Sequence, residues 1–490
     1  MTEKKETGTA SSLEETGGGL RRGTMGVAGM VVAVIAFAAP LAASVGSIPL
    51  AIGLGDGAGA PGAWLLAAVV LLLFAVGYAA MSRHMTNAGA FYAYIAAGLG
   101  RRAGVAAGYL SVVAYSGMVF AISAFFGYFA STILETELSV HVPWFPLAIL
   151  GVLIAGVLAF TGIEASVRAM MILLGVETAL LVVFDIGTLV VAGPGAYSLQ
   201  AFSPAETFGG SIGVALAFAF ATFIGFEATA VFSEEAKDPK RTVRRATYFA
   251  IAVIGVLYIA TAWSLIASLG SAGAVQAAQE NPGEMMFAAA GAVLGPWAVH
   301  LMEVFVVTSV FAVLIATINS SSRYTFSLAR DGYLPRPFAR THRTRRTPHF
   351  GIVVQTILTI VVGGIYAIAG ADPLTQFAAT FVGLSTLGIV AMEAVVSLSV
   401  IAYFRRHPER SPGVWQAVLA PLLAAAGLAL ACTLIVKNFA LITGSDSPVI
   451  ARLPYVLVLA AVIGAVVGGR GKRRRGVASR ELASPSEGAS

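Results

Sequence analysis

"GVALAFAFATFIGFEATAVFSEEAKDPKR", residues 213–241, is apolar enough over its first two-thirds to enter a membrane, yet it carries Glu227 inside that stretch. A carboxylate at the centre of a membrane helix costs at least about 2.5–3.5 kcal/mol. A chain that accepts this cost uses the group to bind or move something polar. Gly225, two residues earlier, is a place where the helix can open and free backbone groups for a ligand.

The rest of the chain supports a membrane setting. Hydrophobic residues make up 57% of the 490 residues and charged residues 11%, with a mean hydropathy of +0.83. A soluble domain carries about 25% charged residues. Hydropathy windows give about twelve spans, an all-α polytopic membrane protein. The first six are Gly26–Gly53, Trp64–Met81, Val105–Leu134, Trp144–Thr161, Ala169–Ala192 and Ile212–Ser233. The remaining six are Tyr248–Leu269, Trp297–Ala329, Phe350–Ala369, Leu374–Phe404, Val414–Ile435 and Tyr455–Val467.

Charge orients them. Arg83, Arg101 and Arg102, then Arg168, Lys237–Arg245, Arg323–Arg346 and Arg405–Arg410 fall in every second connection. Of 31 lysines and arginines, Lys437 and Arg452 alone fall on the other side. By the positive-inside rule both termini are cytoplasmic, and the expected location is the plasma (inner) membrane. The net charge of +6 is therefore a topological signal, and no nucleic-acid partner is expected.

Residues 1–23 are polar, carry no signal-peptide cleavage pattern and read as a disordered cytoplasmic tail. Residues 470–490 open on a basic run suited to anionic lipid, so the bilayer itself is a partner. Cys432 is the single cysteine, which excludes an intrachain disulfide and a cysteine-based metal site. No cofactor or metal is expected.

Span one, like span six, has helix-breaking residues within it: Pro40, Gly46 and Pro49. The two spans lie five apart and run in opposite directions, which is the pattern of an inverted repeat with its site near the midplane. A simple kink at the prolines is the alternative. Asn87–Gly100 is too apolar for a free loop and fits an amphipathic helix along the cytoplasmic face. The outer connection Ser271–Gly291 has room for a short helix covering the site. Gly53–Gly59 reads as an outer loop.

Three blocks carry a family resemblance. "GAFYAYIAAGLGRRAGVAAGY" (Gly89–Tyr109), "FIGFEATAVFSEEAKDPKR" (Phe223–Arg241) and "SRYTFSLARDGYLPRPFARTHRTRRTPHFG" (Ser322–Gly351) occur in order and with matching topology. Together they resemble signatures of the amino acid–polyamine–organocation permeases. The resemblance implies secondary active transport by a five-plus-five inverted repeat over residues 24–410, with broken helices 1 and 6 and two appended helices over 411–469. It also implies that the broken spans hold an amino acid's carboxylate and ammonium through backbone groups. Counted from Pro49, the span one break then falls at Ala42, Ala43, Ser44, Val45 and Gly46. The span six break falls at Phe223, Ile224, Gly225, Phe226 and Glu227. Relatives often have glycines in span one where this chain has Ala-Ala-Ser.

The residues support such a site on their own chemistry. Half-helix N-termini suit a carboxylate, and free carbonyls at the opposite ends suit an ammonium. Phe223 or Phe226 can cap the site, and Tyr115 and Ser116 in span three can face it. Glu177 lies nine residues after Arg168, about 13–14 Å along the helix and so near the midplane. Some relatives carry a lysine near this position, where it takes the place of a sodium ion. A glutamate there would instead bind a cation or carry a proton. We expect Glu227 to be the proton-linked group and Glu177 to tune it or the second half of the site; the alternative is that each is a neutral, hydrogen-bonded structural acid. Glu393 in span ten is equally deep, whereas Asp185 and Glu303 lie nearer the outer face. Thr317 and Asn319, followed by Ser320–Ser322, form a polar patch in span eight that can line the pathway or hold sodium, with helix–helix hydrogen bonding as the alternative.

The expected activity is uptake or exchange of a small amino acid, coupled to H+ with Na+ as the alternative ion. A polyamine or other organic cation is the alternative substrate, which the deep carboxylates would favour. A non-transporting receptor is remote, since no appended soluble domain is evident. An enzyme is not expected: there is no H-E-x-x-H motif, and the six histidines fall mainly in loops or near span ends.

Overall fold

A computed structural model describes residues 38–85, 90–162, 167–227, 239–342, 347–445 and 447–470, with residues 27, 30, 31, 34 and 345 besides. The tails and the lower half of span six, residues 228–233, lie outside the described residues. The regular elements among them are all helices, with no strand.

Fifteen longer helices follow one another. They are α1 (Pro40–Ala51), α2 (Ala60–Ser82), α3 (Ala90–Leu99), α4 (Arg101–Leu138) and α5 (Trp144–Thr161). Next come α6 (Val167–Ala192), α7 (Ile212–Phe223), α8 (Pro239–Leu269), α9 (Ser271–Glu280) and α10 (Pro282–Leu294). Last are α11 (Pro296–Arg330), α12 (His349–Ile368), α13 (Ala379–Arg406), α14 (Ala420–Lys437) and α15 (Pro454–Arg470). Among the described residues nine stretches are long and apolar enough to cross a membrane, and one of them, Pro40–Ser82, holds both spans one and two. With the shorter apolar helices α7 and α15 this matches a polytopic protein of about twelve spans. The outward surfaces of α6 and α12 are apolar, with Ile172, Val183, Ile186 and Val190 on one and Ile357, Val361 and Ile365 on the other all exposed. Such faces need lipid, not water.

Span one differs from expectation. The chain leaves helical geometry at Ala39 (φ 44°, ψ 74°), while Ala42–Gly46 are helical inside α1. Pro40 explains the offset. Its ring excludes the α conformation from the residue before it, and as the first residue of α1 it gives up only an amide that had no helical partner. Ala39 accepts the left-handed conformation at a cost of about 1–2 kcal/mol. Pro49 is accommodated within α1, and the helix continues past it to Ala51.

Gly53–Gly59 is not an open loop. A π turn (Ile52–Asp56) and a 3-10 turn (Gly57–Gly59) join α1 directly to α2. The outer connection after α8 holds two helices, α9 and α10, and α10 packs against α1 and α6.

The amphipathic helix expected after span two is α3. Its apolar face, Phe91, Tyr94 and Ile95, is buried against protein, between α4 and α13. Tyr92 donates a 2.7 Å hydrogen bond to Asp331, just past α11. Burial, and then the Asp331 carboxylate, raise the Tyr92 hydroxyl above its ordinary range, so it remains a donor at neutral pH. The closest approach is at Gly98, where a Cβ would meet the Ser399 carbonyl oxygen at 2.2 Å. Any side chain must push α3 off α13. Gly98→Val should destabilise the protein by about 1–3 kcal/mol or more, read as a lower thermal midpoint of the purified chain. A parent-like midpoint would show that the two helices do not meet there.

Candidate functional site

The candidate site lies between the interruptions of spans one and six. α1 and α7 pack against each other, and α7 ends at Phe223 in a turn formed by Ile224–Glu227. Gly225 makes this turn possible, because its φ of +114° is a conformation that L side chains rarely adopt.

Glu227 closes the turn on itself. One carboxylate oxygen accepts from the Gly225 amide at 2.8 Å, and the other accepts from the Tyr115 hydroxyl on α4. Its backbone carbonyl accepts from Tyr78 on α2 at 3.1 Å. The side chain is buried, yet every group freed by the break that it meets is hydrogen-bonded. The carboxylate is thus the acceptor that lets the helix stop inside the membrane.

Aromatic rings wall this centre. Tyr115 lies 4.8 Å from Tyr324 on α11, and Tyr78 stacks on Tyr94 at 5.0 Å. Phe226 meets Phe74 edge-on at 5.8 Å. Phe223 and Phe226 are both buried, as a capping or packing role requires.

Tyr258 on α8 connects the two breaks. Its hydroxyl donates to the Ala38 carbonyl at 2.9 Å, beside the Ala39 interruption, and its ring meets Phe223 edge-on at 6.4 Å. The left-handed turn at Ala39 leaves that carbonyl without a helical amide, and Tyr258 replaces it. Of the span one candidates, Ala43, Ser44, Val45 and Gly46 are buried and Ala42 is half-buried. The Ser44 hydroxyl has no hydrogen-bond partner among the described residues. Gly46 faces the ring of Phe125.

The ion-coupling candidates are distributed over more than one place. Glu177 on α6 is buried and accepts from Ser309 on α11 at 2.8 Å. Thr317 lies eight residues further along α11, about 12 Å away. Its hydroxyl donates to the Val313 carbonyl of its own helix at 2.9 Å, the usual resting bond of a threonine within a helix. Asn319 is half-buried, and its carbonyl accepts from Ser322 at 2.9 Å. Ser116 belongs to a different network: it and Ser321 both donate to Gln355 on α12 at 2.8 Å, which ties three spans together.

Sequence reasoning passed over Tyr78, Tyr258, Tyr324 and Gln355, all polar residues in apolar spans, and that signal was available. Glu393, named only for its depth, lies within electrostatic reach of Glu227. Its Oε2 is buried without a hydrogen-bond partner among the described residues.

A cavity of about 590 Å³ lies elsewhere, lined by Tyr128, Glu135, His141, Trp144, Glu284 and Asp372 among others. Tyr128 is thirteen residues along α4 from Tyr115, about 20 Å away, at the end that the charge pattern assigns to the outside.

Comparison with known proteins bears on what such a site does. A family model described as "Amino acid permease" matches residues 23–466. The chain is similar to a methylthioribose transporter of Bacillus subtilis, 27% identical over 372 residues, covering 71% of this chain and 74% of that protein. It is similar to a branched-chain amino acid permease of Lactococcus lactis subsp. cremoris, 26% identical over 366 residues (69% and 75%). A branched-chain amino acid permease of Bacillus subtilis is 24% identical over 377 residues (72% and 76%).

Proposed function

Because the chain belongs to the amino acid permease family, and is a membrane transporter and not an enzyme, we propose that it moves small amino acids across the plasma membrane by proton-coupled alternating access. The observation that carries this is the Glu227 carboxylate held at the broken end of α7 by the Gly225 amide and the Tyr115 hydroxyl. A turn that binds its own carboxylate has the donors to bind a substrate's.

Proton and substrate are linked by competition for those donors. An ionised Glu227 accepts from both. Once protonated it is a weaker acceptor and gains a donor of its own. The Gly225 amide is then available to the carboxylate of an incoming amino acid, while the Ala38 carbonyl at the α1 break, which accepts from Tyr258 and keeps a second lone pair, suits its ammonium. Phe223 and Phe226 cap the site, and the small side chains of Ala42, Ala43, Ser44, Val45 and Gly46 allow close approach. Glu177, paired with Ser309, tunes the second half of the site. Thr317 and Asn319 lie further along α11 on the same pathway.

In this scheme residues 24–410 form the transport core of two inverted five-span repeats, 411–469 the two appended helices, and both termini are cytoplasmic. Branched-chain substrates are the first to test, given the names of two relatives.

Counterflow in proteoliposomes tests the substrate class, with labelled branched-chain and small amino acids, putrescine and methylthioribose, each with and without a pH gradient. Accumulation of an amino acid that is increased by an inward proton gradient is expected. Accumulation of putrescine alone would replace the amino acid reading with an organic-cation one, and accumulation independent of the gradient would remove proton coupling.

A further inference from the structure

Far from the breaks, Glu137 on the last turn of α4 meets His300 and Glu303 near the start of α11. Glu137 is hydrogen-bonded to the Nδ1 of His300. Glu303 Oε2 lies 3.9 Å from that nitrogen. One ligand atom from each of the three side chains lies within 4.8 Å of the others. Ligands at about 2.1 Å around a tetrahedral ion stand about 3.4 Å apart. Glu137 and His300 are the two exposed members, so rotamer changes that would close that gap meet solvent and not packed core.

The arrangement of charge favours a cation at the cluster. Glu303 is only 4% exposed. Its charged neighbours among the described residues are Glu137, His300 and Glu284, three carboxylates in all around one imidazole. Two of them are brought to the same nitrogen by different helices. Like charges so close are unfavourable unless a proton or a metal ion is shared between them. Imidazole with two carboxylates is a donor set for a borderline divalent ion such as Zn2+, which would leave a further position for water.

We propose that Glu137, His300 and Glu303 form a divalent-cation site of the Zn2+ type that clips the outer end of span three to that of span eight. The ion replaces the proton on His300 Nδ1 and satisfies both carboxylates. The site is independent of the transport scheme above, because none of its ligands takes part in the two breaks.

Isothermal titration of the tag-free, full-length chain in detergent with ZnCl2 tests it. One Zn2+ per chain is expected, and His300→Ala, Glu303→Gln and Glu137→Gln should each weaken binding at least about tenfold. Ca2+ and Mg2+, which prefer all-oxygen ligands, should not displace it. The metal-free thermal midpoint of each variant establishes that it is folded, and Glu137→Gln, at the exposed end of α4, carries the test if the other two are not. Absence of Zn2+ binding, parent-like binding by the folded variants, or equal displacement by Ca2+ would each overturn the site.

Discussion

Glu227→Gln is expected to slow uptake about 10–100-fold and to remove its dependence on an inward proton gradient. The carboxylate accepts from both the Gly225 amide and the Tyr115 hydroxyl. A glutamine has one oxygen to offer and turns an NH2 towards the other donor. A hydrogen bond to a buried charged group is worth about 1.5–3 kcal/mol, and 1.36 kcal/mol is a factor of about ten, which gives the expected range. Loss of rate alone would fit any damage to the turn, so the pH profile is the deciding measurement. A slow variant that keeps the parent's profile would mean that another group carries the proton, and Glu393 is then the next to replace. Tyr115→Phe separates the two roles. It removes one donor but leaves the carboxylate, so it should lower the rate while keeping the gradient dependence.

Features legible in the sequence and features that were not legible divide along physical lines. Spans were legible because burial in lipid is a property of a window of about twenty residues, whatever its neighbours. The helix after span two was legible because the segment is too apolar for a free loop, and its apolar face docks between α4 and α13. The break at Gly225 was visible because glycine beside a buried charge is a local signal. The break in span one was misplaced by three residues, since counting from Pro49 ignored what Pro40 does to Ala39. What could not be read was the set of partners. Tyr78, Tyr115 and Tyr258 reach the breaks from α2, α4 and α8, between 112 and 220 positions away along the chain, and only packing brings them there. Glu393 is the clearest case. Its depth was countable from Arg405, but its approach to Glu227 depends on how α13 lies against α7.

The turn itself should be as sensitive as the carboxylate it serves. Gly225→Ala adds one methyl group at a residue whose φ is +114°. An L residue forced into so sparsely populated a region costs about 1–3 kcal/mol, and the chain escapes that strain by rotating the peptide that carries the Gly225 amide. The amide then no longer points at Glu227. Both donors and acceptor lose their alignment, so substrate affinity should fall about 5–100-fold even though no contacting side chain has been removed. Gly175→Ala is the matched control. Gly175 lies on α6 with open space around its Cα, and its added methyl should leave transport unchanged. Equilibrium binding of the labelled substrate to purified protein, with the thermal midpoint measured alongside, distinguishes a damaged turn from a damaged fold. If Gly225→Ala binds and transports as the parent does, the backbone at the α7 break is not what holds the substrate. The carboxylate of Glu227 would then have to act through its side-chain partners alone.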